Sequence, residues 1–314
     1  MSRADLLSRV DGLRTRRTPF VLATVVRAER PTSAKPGDCA LVLADGTIDG
    51  FVGGACAEST VRLESLRLLR SGESGLLRIT PRADDPDEPA QEGVRTVGNP
   101  CLSGGTLEIF LEAMMPPVLV SVYGEAPVAR ALVRVGNSLD WDVRSGVDPA
   151  TPIAADTSAV VVASHGRDEA TVLRAALAAG VGYIALVASR RRSAGVLEEL
   201  AALGVDEGQR GRIHAPAGLD IGARTAAEIA LSVFADIVAN RPRAAVPQAT
   251  AEPASGPLAV PGIGTVATAS DPVCGMDVAV TPSSISAQHA GDAVYFCGTG
   301  CRQAFLDDPG RFAR

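Results

Sequence analysis

The sequence predicts an α/β protein: an α+β N-terminal domain, a parallel-sheet domain and a small cysteine-containing C-terminal module. Three observations lead there. Between Pro117 and Arg243 short apolar runs alternate with helical patterns, the signature of an open, Rossmann-like parallel sheet covered on both faces. Before Pro117 strand-like runs and a helical run mix without that alternation. After Arg243–Ala269, where Pro, Ala, Gly and Thr dominate and no apolar period survives, three cysteines fall close together. The expected domains are therefore 1–116, 117–243, a flexible linker over 244–269, and a module over 270–314.

In the first domain, Phe20–Val26, Cys39–Leu43, Thr47–Val52 and Leu107–Leu111 read as strands, and a helix is expected from about Glu58 to Arg70. The acidic, Pro-rich patch Ala83–Glu92 reads as a surface loop, and Met114-Met115-Pro116-Pro117 as the break that follows. In the second domain the expected strands are Val118–Tyr123, Trp141–Val147, Val160–Ser164, Tyr183–Ala188 and Arg212–Ala215. The expected helices are Val128–Leu139, Glu169–Ala179, Ala194–Leu203 and Thr225–Asn240. The tail is too short for a large core, so a metal is expected to hold it together.

Composition excludes several classes. The chain of 314 residues is 46% hydrophobic, which supports real cores, and its net charge is −6. Lys35 is the only lysine and no long basic run occurs, which argues against a nucleic-acid partner. No run of 18 apolar residues exists: Leu107–Tyr123 comes nearest, and Glu108, Glu112, Pro116 and Pro117 break it. Met1 to Arg17 is charged throughout and lacks the apolar core of a signal peptide, so a cytoplasmic location with no membrane span is expected. In a reducing compartment six cysteines read as thiols for metal or sulfur chemistry rather than disulfides. They divide into Cys39, Cys56 and Cys101 early and Cys274, Cys297 and Cys301 late, which suggests two separate sites.

Three stretches carry chemistry. Gly53-Gly54-Ala55-Cys56 follows a strand and opens a helix, where exposed amides attract anions and lower a thiol pKa. Cys101 lies beside a second pair, Gly104-Gly105. Either thiol is a nucleophile or ligand, or both are small buried side chains near turns. The turn Gly124-Glu125-Ala126-Pro127-Val128-Ala129 stands where a dinucleotide fold carries G-x-G-x-x-G, with alanine at two glycine positions. The added methyls and Glu125 argue against tight NAD(P) or FAD binding. Further along, His165 follows one strand end and Ser189-Arg190-Arg191-Arg192 another, in the usual ligand crevice. The arginines either grip phosphate or form a solvated helix start. In the tail, Cys297 and Cys301 are four apart, so a helix beginning there places both sulfurs on one face, with Cys274 as a third ligand. Three soft ligands suit Cu(I) or Zn, and the other reading is a knuckle of inert thiols.

From about Phe20 to Arg241 the chain resembles the xanthine dehydrogenase accessory (XdhC/CoxI) family. The resemblance rests on Glu29-Arg30-Pro31-Thr32-Ser33-Ala34-Lys35-Pro36-Gly37, Gly53-Gly54-Ala55-Cys56, Gly104-Gly105-Thr106-Leu107-Glu108 and Ala188-Ser189-Arg190-Arg191. It rests above all on Ile213-His214-Ala215-Pro216-Ala217-Gly218-Leu219-Asp220-Ile221-Gly222-Ala223-Arg224-Thr225. Glu29–Gly37 is more similar to the branch associated with carbon monoxide dehydrogenase than to the xanthine branch. Residues 271–314 resemble a YHS domain through Asp271–Met276, Tyr295–Cys301 and Phe305-Leu306-Asp307-Asp308-Pro309.

The resemblance implies a maturation factor rather than an enzyme. Such a factor binds the molybdenum cofactor (a molybdopterin, with or without a cytosine dinucleotide), assists its sulfuration, and inserts it into an apo molybdenum hydroxylase. A cysteine desulfurase or sulfurtransferase is a further implied partner, and a homodimer remains open. Cys56 and Cys101 become candidates for handling molybdenum or sulfur. Gly53, Gly54, Gly104, Gly105, Gly124, His165, Ser189, Arg190, Arg191, Asp220 and Arg224 become candidates for holding the cofactor. The tail would present Cu(I) from a tether that raises its local concentration. Two other classes compete: an NAD(P)- or flavin-dependent oxidoreductase using Cys56, and a metal-responsive adaptor without catalysis.

Overall fold

The structure is a computed structural model that describes residues 3–81, 93–99, 105–240 and 266–312. The chain divides into two compact units, one of Met1–Pro116 together with Ala244–Arg314 and one of Pro117–Arg243.

The first unit begins with α1 (Arg3–Thr15), followed by β1 (Phe20–Glu29), β2 (Cys39–Leu43), β3 (Ile48–Gly50), α2 (Ala55–Ser71), β4 (Gly75–Thr80), β5 (Val94–Gly98) and β6 (Thr106–Met114). Among the described residues the strands form one sheet in the order β3-β2-β1-β6-β4-β5, antiparallel except for the β4–β5 pair. Val21, Ala23 and Val25 alternate inward along β1 and meet Val61, Leu66 and Leu69 of α2, so a helix covers one face. That helix ends at Gly72, whose left-handed backbone lets its amide donate to the Leu68 carbonyl.

Four differences from the sequence reading have local causes. The charged N-terminus hides a helix because Leu6, Val10 and Leu13 fall on one face against Phe20 and Leu41. Strand β5 escapes a periodicity reading because as an edge strand it buries little, and β4 precedes it across the acidic patch. The Thr47–Val52 strand contracts to three residues and α2 starts three residues before Glu58, because the glycine pair itself turns the chain.

The second unit runs β7 (Leu119–Tyr123), α3 (Pro127–Asn137), β8 (Asp142–Ser145), β9 (Thr157–Val162), α4 (Glu169–Ala178), β10 (Tyr183–Leu186), α5 (Arg190–Ala202), α6 (Glu207–Arg210), β11 (Ile213–His214) and α7 (Ala226–Ala239). Its sheet is wholly parallel, in the order β11-β10-β9-β7-β8. The order of strand addition switches side between β7 and β9, the point at which a doubly wound sheet opens its crevice. Apolar clusters lie on both faces, as unbroken runs such as Ala159–Val162 require. Helix α5 starts at Arg190 rather than Ala194, so the arginines are its first turn, capped when Ser189 Oγ accepts from the Arg192 amide at 3.4 Å.

The tail returns to the first unit as β12 (Thr268–Ser270), β13 (Asp277–Ala279), β14 (Ile285–His289), β15 (Asp292–Phe296), α8 (Thr299–Asp307) and α9 (Pro309–Phe312). Its strands form two short antiparallel pairs, β12–β13 and β14–β15, and bury Val278, Phe296 and Phe305. Ala279 is fully buried in the first unit's main core, and Val266 packs against that core too.

Candidate functional site

The site is built around sulfur. Asp271, fully buried, ties a tight loop: its amide donates to the Met276 carbonyl and its carbonyl accepts from Gly275, at a positive φ of 77°. Its carboxylate accepts from the Val273 amide at 2.9 Å and from the Cys297 amide at 2.8 Å. Burial alone would raise this carboxyl's pKa, but the two amides outweigh it and hold it below the usual range. One carboxylate therefore fixes both the loop carrying Cys274 and the turn carrying Cys297.

Around Cys297 the sulfurs gather. Its Sγ lies 3.5 Å from Cys274 Sγ, 3.7 Å from Cys301 Sγ and 3.8 Å from Cys56 Sγ. These separations are far beyond a disulfide of about 2.05 Å. They match roughly 3.8 Å, the edge of a thiolate tetrahedron around an ion with metal–sulfur bonds of about 2.3 Å. The ligand atoms of Asp271, Cys274, Cys297 and Cys301 all lie within 4.8 Å of one another. The thiols perturb one another: the Cys297 hydrogen bond lowers the Cys274 pKa, while Cys297 itself is pushed strongly up by its sulfur neighbours. Burial pushes Cys301 up to about 12. One anion among crowded sulfurs opposes the next, and a cation is what relieves that opposition.

Two sequence expectations are corrected here. Helix α8 begins at Thr299, so Cys297 precedes it, and β15 and Asp271 bring its sulfur to Cys301. The division into an early and a late set also gives way at one residue: Cys56, of the early set, stands beside the tail's three. Gly298 makes that approach possible: a Cβ there would stand 3.2 Å from Cys56 Sγ.

The cluster opens into a cavity of about 400 Å³ in the same unit, lined also by Gly54, Thr32, Ser33, Asn99 and Gly105. Gly54 starts α2, and a Cβ on it would meet open space. Gly53, at φ 136°, turns the chain against Ala57 and Leu107 instead. Gly105 has a different reason to be glycine, since a Cβ would lie 2.3 Å from the Pro31 carbonyl oxygen. Cys101 and Gly104 lie outside the described residues. Asp271 and Asn99 were not singled out from sequence, although Asp271 opens the segment Asp271–Met276 and Asn99 stands two residues before Cys101.

The candidates of the second unit sit at its strand ends. Gly124 adopts φ 111°, and a Cβ would meet the Ala163 carbonyl oxygen at 2.4 Å, so close strand packing requires this glycine. His165 is exposed at φ 54°. Arg190 and Asp220 are 87% and 85% exposed and 3.6 Å apart, and Arg191 is exposed too. Arg224 is exposed, its amide donating to Glu228 at 2.7 Å. Sequence reasoning passed over the buried partners here. Glu169 accepts from Arg192 at 2.5 Å and from the Gly166 amide at 2.9 Å, bracing the loop that carries His165. Asp236 accepts from Tyr183 at 2.7 Å and lies 2.9 Å from His214 Nδ1. Spacing in the chain cannot reveal such pairs.

Residues 13–80 match the model of the XdhC and CoxI family, and residues 120–237 that of the XdhC Rossmann domain. The chain is 29% identical over 260 residues to the uncharacterized protein YqeB of Escherichia coli K12, covering 74% of this chain and 46% of YqeB. It thus spans about half the length of that relative. It is 24% identical over 264 residues to the molybdenum cofactor insertion chaperone PaoD of the same organism, covering 70% of this chain and 83% of PaoD. A solved structure described as a xanthine dehydrogenase from Bacillus halodurans aligns with 79% of this chain and 98% of its own, at 17% identity and a TM-score of 0.36.

Proposed function

Because the chain belongs to the XdhC and CoxI family, we propose that it matures a molybdenum hydroxylase by holding the molybdenum cofactor and passing it to the apo-enzyme. The printed role of PaoD as an insertion chaperone supports this reading. The observation that carries it is the cavity of about 400 Å³ where the Thr32-Ser33 loop, Asn99, Gly54 and Cys56 meet. Its volume lies in the range of ligand pockets of about 300–1,000 Å³. Thr32, Ser33 and Asn99 supply hydroxyl and amide groups to hydrogen-bond a pterin, the open position of Gly54 leaves the start of α2 accessible, and Cys56 offers a soft ligand to molybdenum.

In finer detail, the client is an aerobic carbon monoxide dehydrogenase or a xanthine dehydrogenase. Cys56, with Cys101, takes part in exchanging the cofactor's oxo ligand for sulfur donated by a sulfurtransferase. The YHS-like tail carries a thiophilic ion, Cu(I) or Zn, on Cys274, Cys297 and Cys301. Gly124, His165, Ser189, Arg190, Arg191, Asp220 and Arg224 form a second surface for the phosphate end of the cofactor. No helix among the described residues is long and apolar enough to cross a membrane.

The test is to purify the full chain from cells that make the cofactor and measure molybdenum, copper and nucleotide per chain. About one molybdenum per chain is expected, falling at least tenfold in Cys56→Ala. Trace molybdenum in the unaltered protein, or a fully active hydroxylase assembled in a strain lacking it, overturns the reading.

A further inference from the structure

We propose that Cys56 is the fourth ligand of a single thiolate centre completed by Cys274, Cys297 and Cys301, so that one ion is held by two distant stretches of the chain. The inference rests on the tail ion site just proposed and adds a ligand that the tail does not contain. Three thiolates leave one vertex of a tetrahedral ion open. Asp271 is the near alternative, but each of its oxygens already accepts an amide hydrogen bond inside a fully buried loop.

Cys56 is the other candidate for that vertex. Its Sγ is 3.8 Å from Cys297 Sγ, one tetrahedral edge away, and it sits in the first turn of α2, where helix amides favour a thiolate. It lies outside the group whose ligand atoms fall mutually within 4.8 Å, so ion binding draws it inward by a small side-chain movement. Gly298, in the turn before α8, has no side chain to oppose that movement, where a Cβ would stand 3.2 Å from Cys56 Sγ. Each thiol entering the centre releases its proton to solvent, and no oxidation is involved. A soft, filled-shell cation, Zn(II) or Cu(I), fits four sulfurs. The centre would stand in the wall of the cavity that receives the cofactor, so one thiol would serve both.

The experiment uses the full-length chain without molybdenum cofactor, which separates its outcome from the maturation role. Thiols are alkylated and mapped by mass spectrometry after adding one equivalent of Zn(II), or of Cu(I) without oxygen, and again after chelation. Cys56 is expected to be protected at least tenfold together with Cys274, Cys297 and Cys301, while Cys39 in β2 reacts equally throughout. The arm in which protection occurs names the ion. Cys56 alkylating at the same rate with and without metal in both arms overturns the proposal. With Co(II) as a spectroscopic stand-in, Cys56→Ser and Cys301→Ser are each expected to lose about a quarter of the thiolate-to-cobalt absorption. An unchanged Cys56→Ser spectrum overturns it as well.

Discussion

Gly124 shows how one missing methyl sets a backbone. The position reads as the remnant of a phosphate-binding turn, yet the close contact is with the protein's own chain, 2.4 Å from the Ala163 carbonyl oxygen for an added Cβ. Gly124→Ala should destabilise the second unit by at least about 2 kcal/mol, from the left-handed backbone and the forced strand separation together. Urea unfolding followed through Trp141, which packs edge-on against Phe234 in that unit, reads the change. An unaltered midpoint would return the position to a ligand-binding explanation. At the same scale, Asp271 is a positioning residue whose buried carboxylate aligns the loops that carry Cys274 and Cys297.

Helix α7 illustrates control by an element's end. Thr225 Oγ1 accepts from the Glu228 amide while the Glu228 carboxylate accepts from Thr225, a reciprocal capping box. Hydrogen bonds from the Arg224 and Thr225 amides hold the Glu228 pKa below its ordinary value of 4.5. Since the folded pKa is the lower one, the stabilisation is complete above pH 4.5 and is lost as pH falls through the depressed value. Glu228→Gln should therefore melt earlier than the unaltered protein at pH 6, and the gap should close under more acid conditions. A gap that widens in acid would contradict the capping account. Helix α2 uses its start differently: Gly54 provides no side-chain cap, which leaves that turn open beside the cavity.

For the whole molecule, each unit has apolar clusters of its own, and the tail is the part with the smallest. The second has apolar clusters on both sheet faces. The tail contributes Ala279 and Val266 to the first unit's core, a small sulfur-rich cluster, and the buried pair Phe296 and Phe305. An ion that binds the folded form alone stabilises by about 2.7 kcal/mol at a hundred times its dissociation constant. Zn(II) should thus slow amide exchange across residues 266–312 and the first turn of α2, chelation should reverse it, and residues 117–240 should exchange at an unchanged rate. Uniform slowing across both units, or none in the tail, would count against a metal-held tail.

The parallel-sheet unit was legible in the sequence because each strand and helix there carries its own apolar period, and period is a local property. The family was legible through long contiguous segments for the same reason. The α+β part was read only partly: α1 hides its face behind charges, and β5 gains its strand state from pairing with β4. Arg192 and Glu169, or Asp236 and His214, meet only once strands lie side by side. The cysteines make the point most sharply. Sequence sorted them by position into early and late sets, since distance along a chain says nothing about distance across a fold. Only the docking of Ala279 and Val266 into the first core, with Asp271 drawing two loops together, set Cys56 beside Cys297.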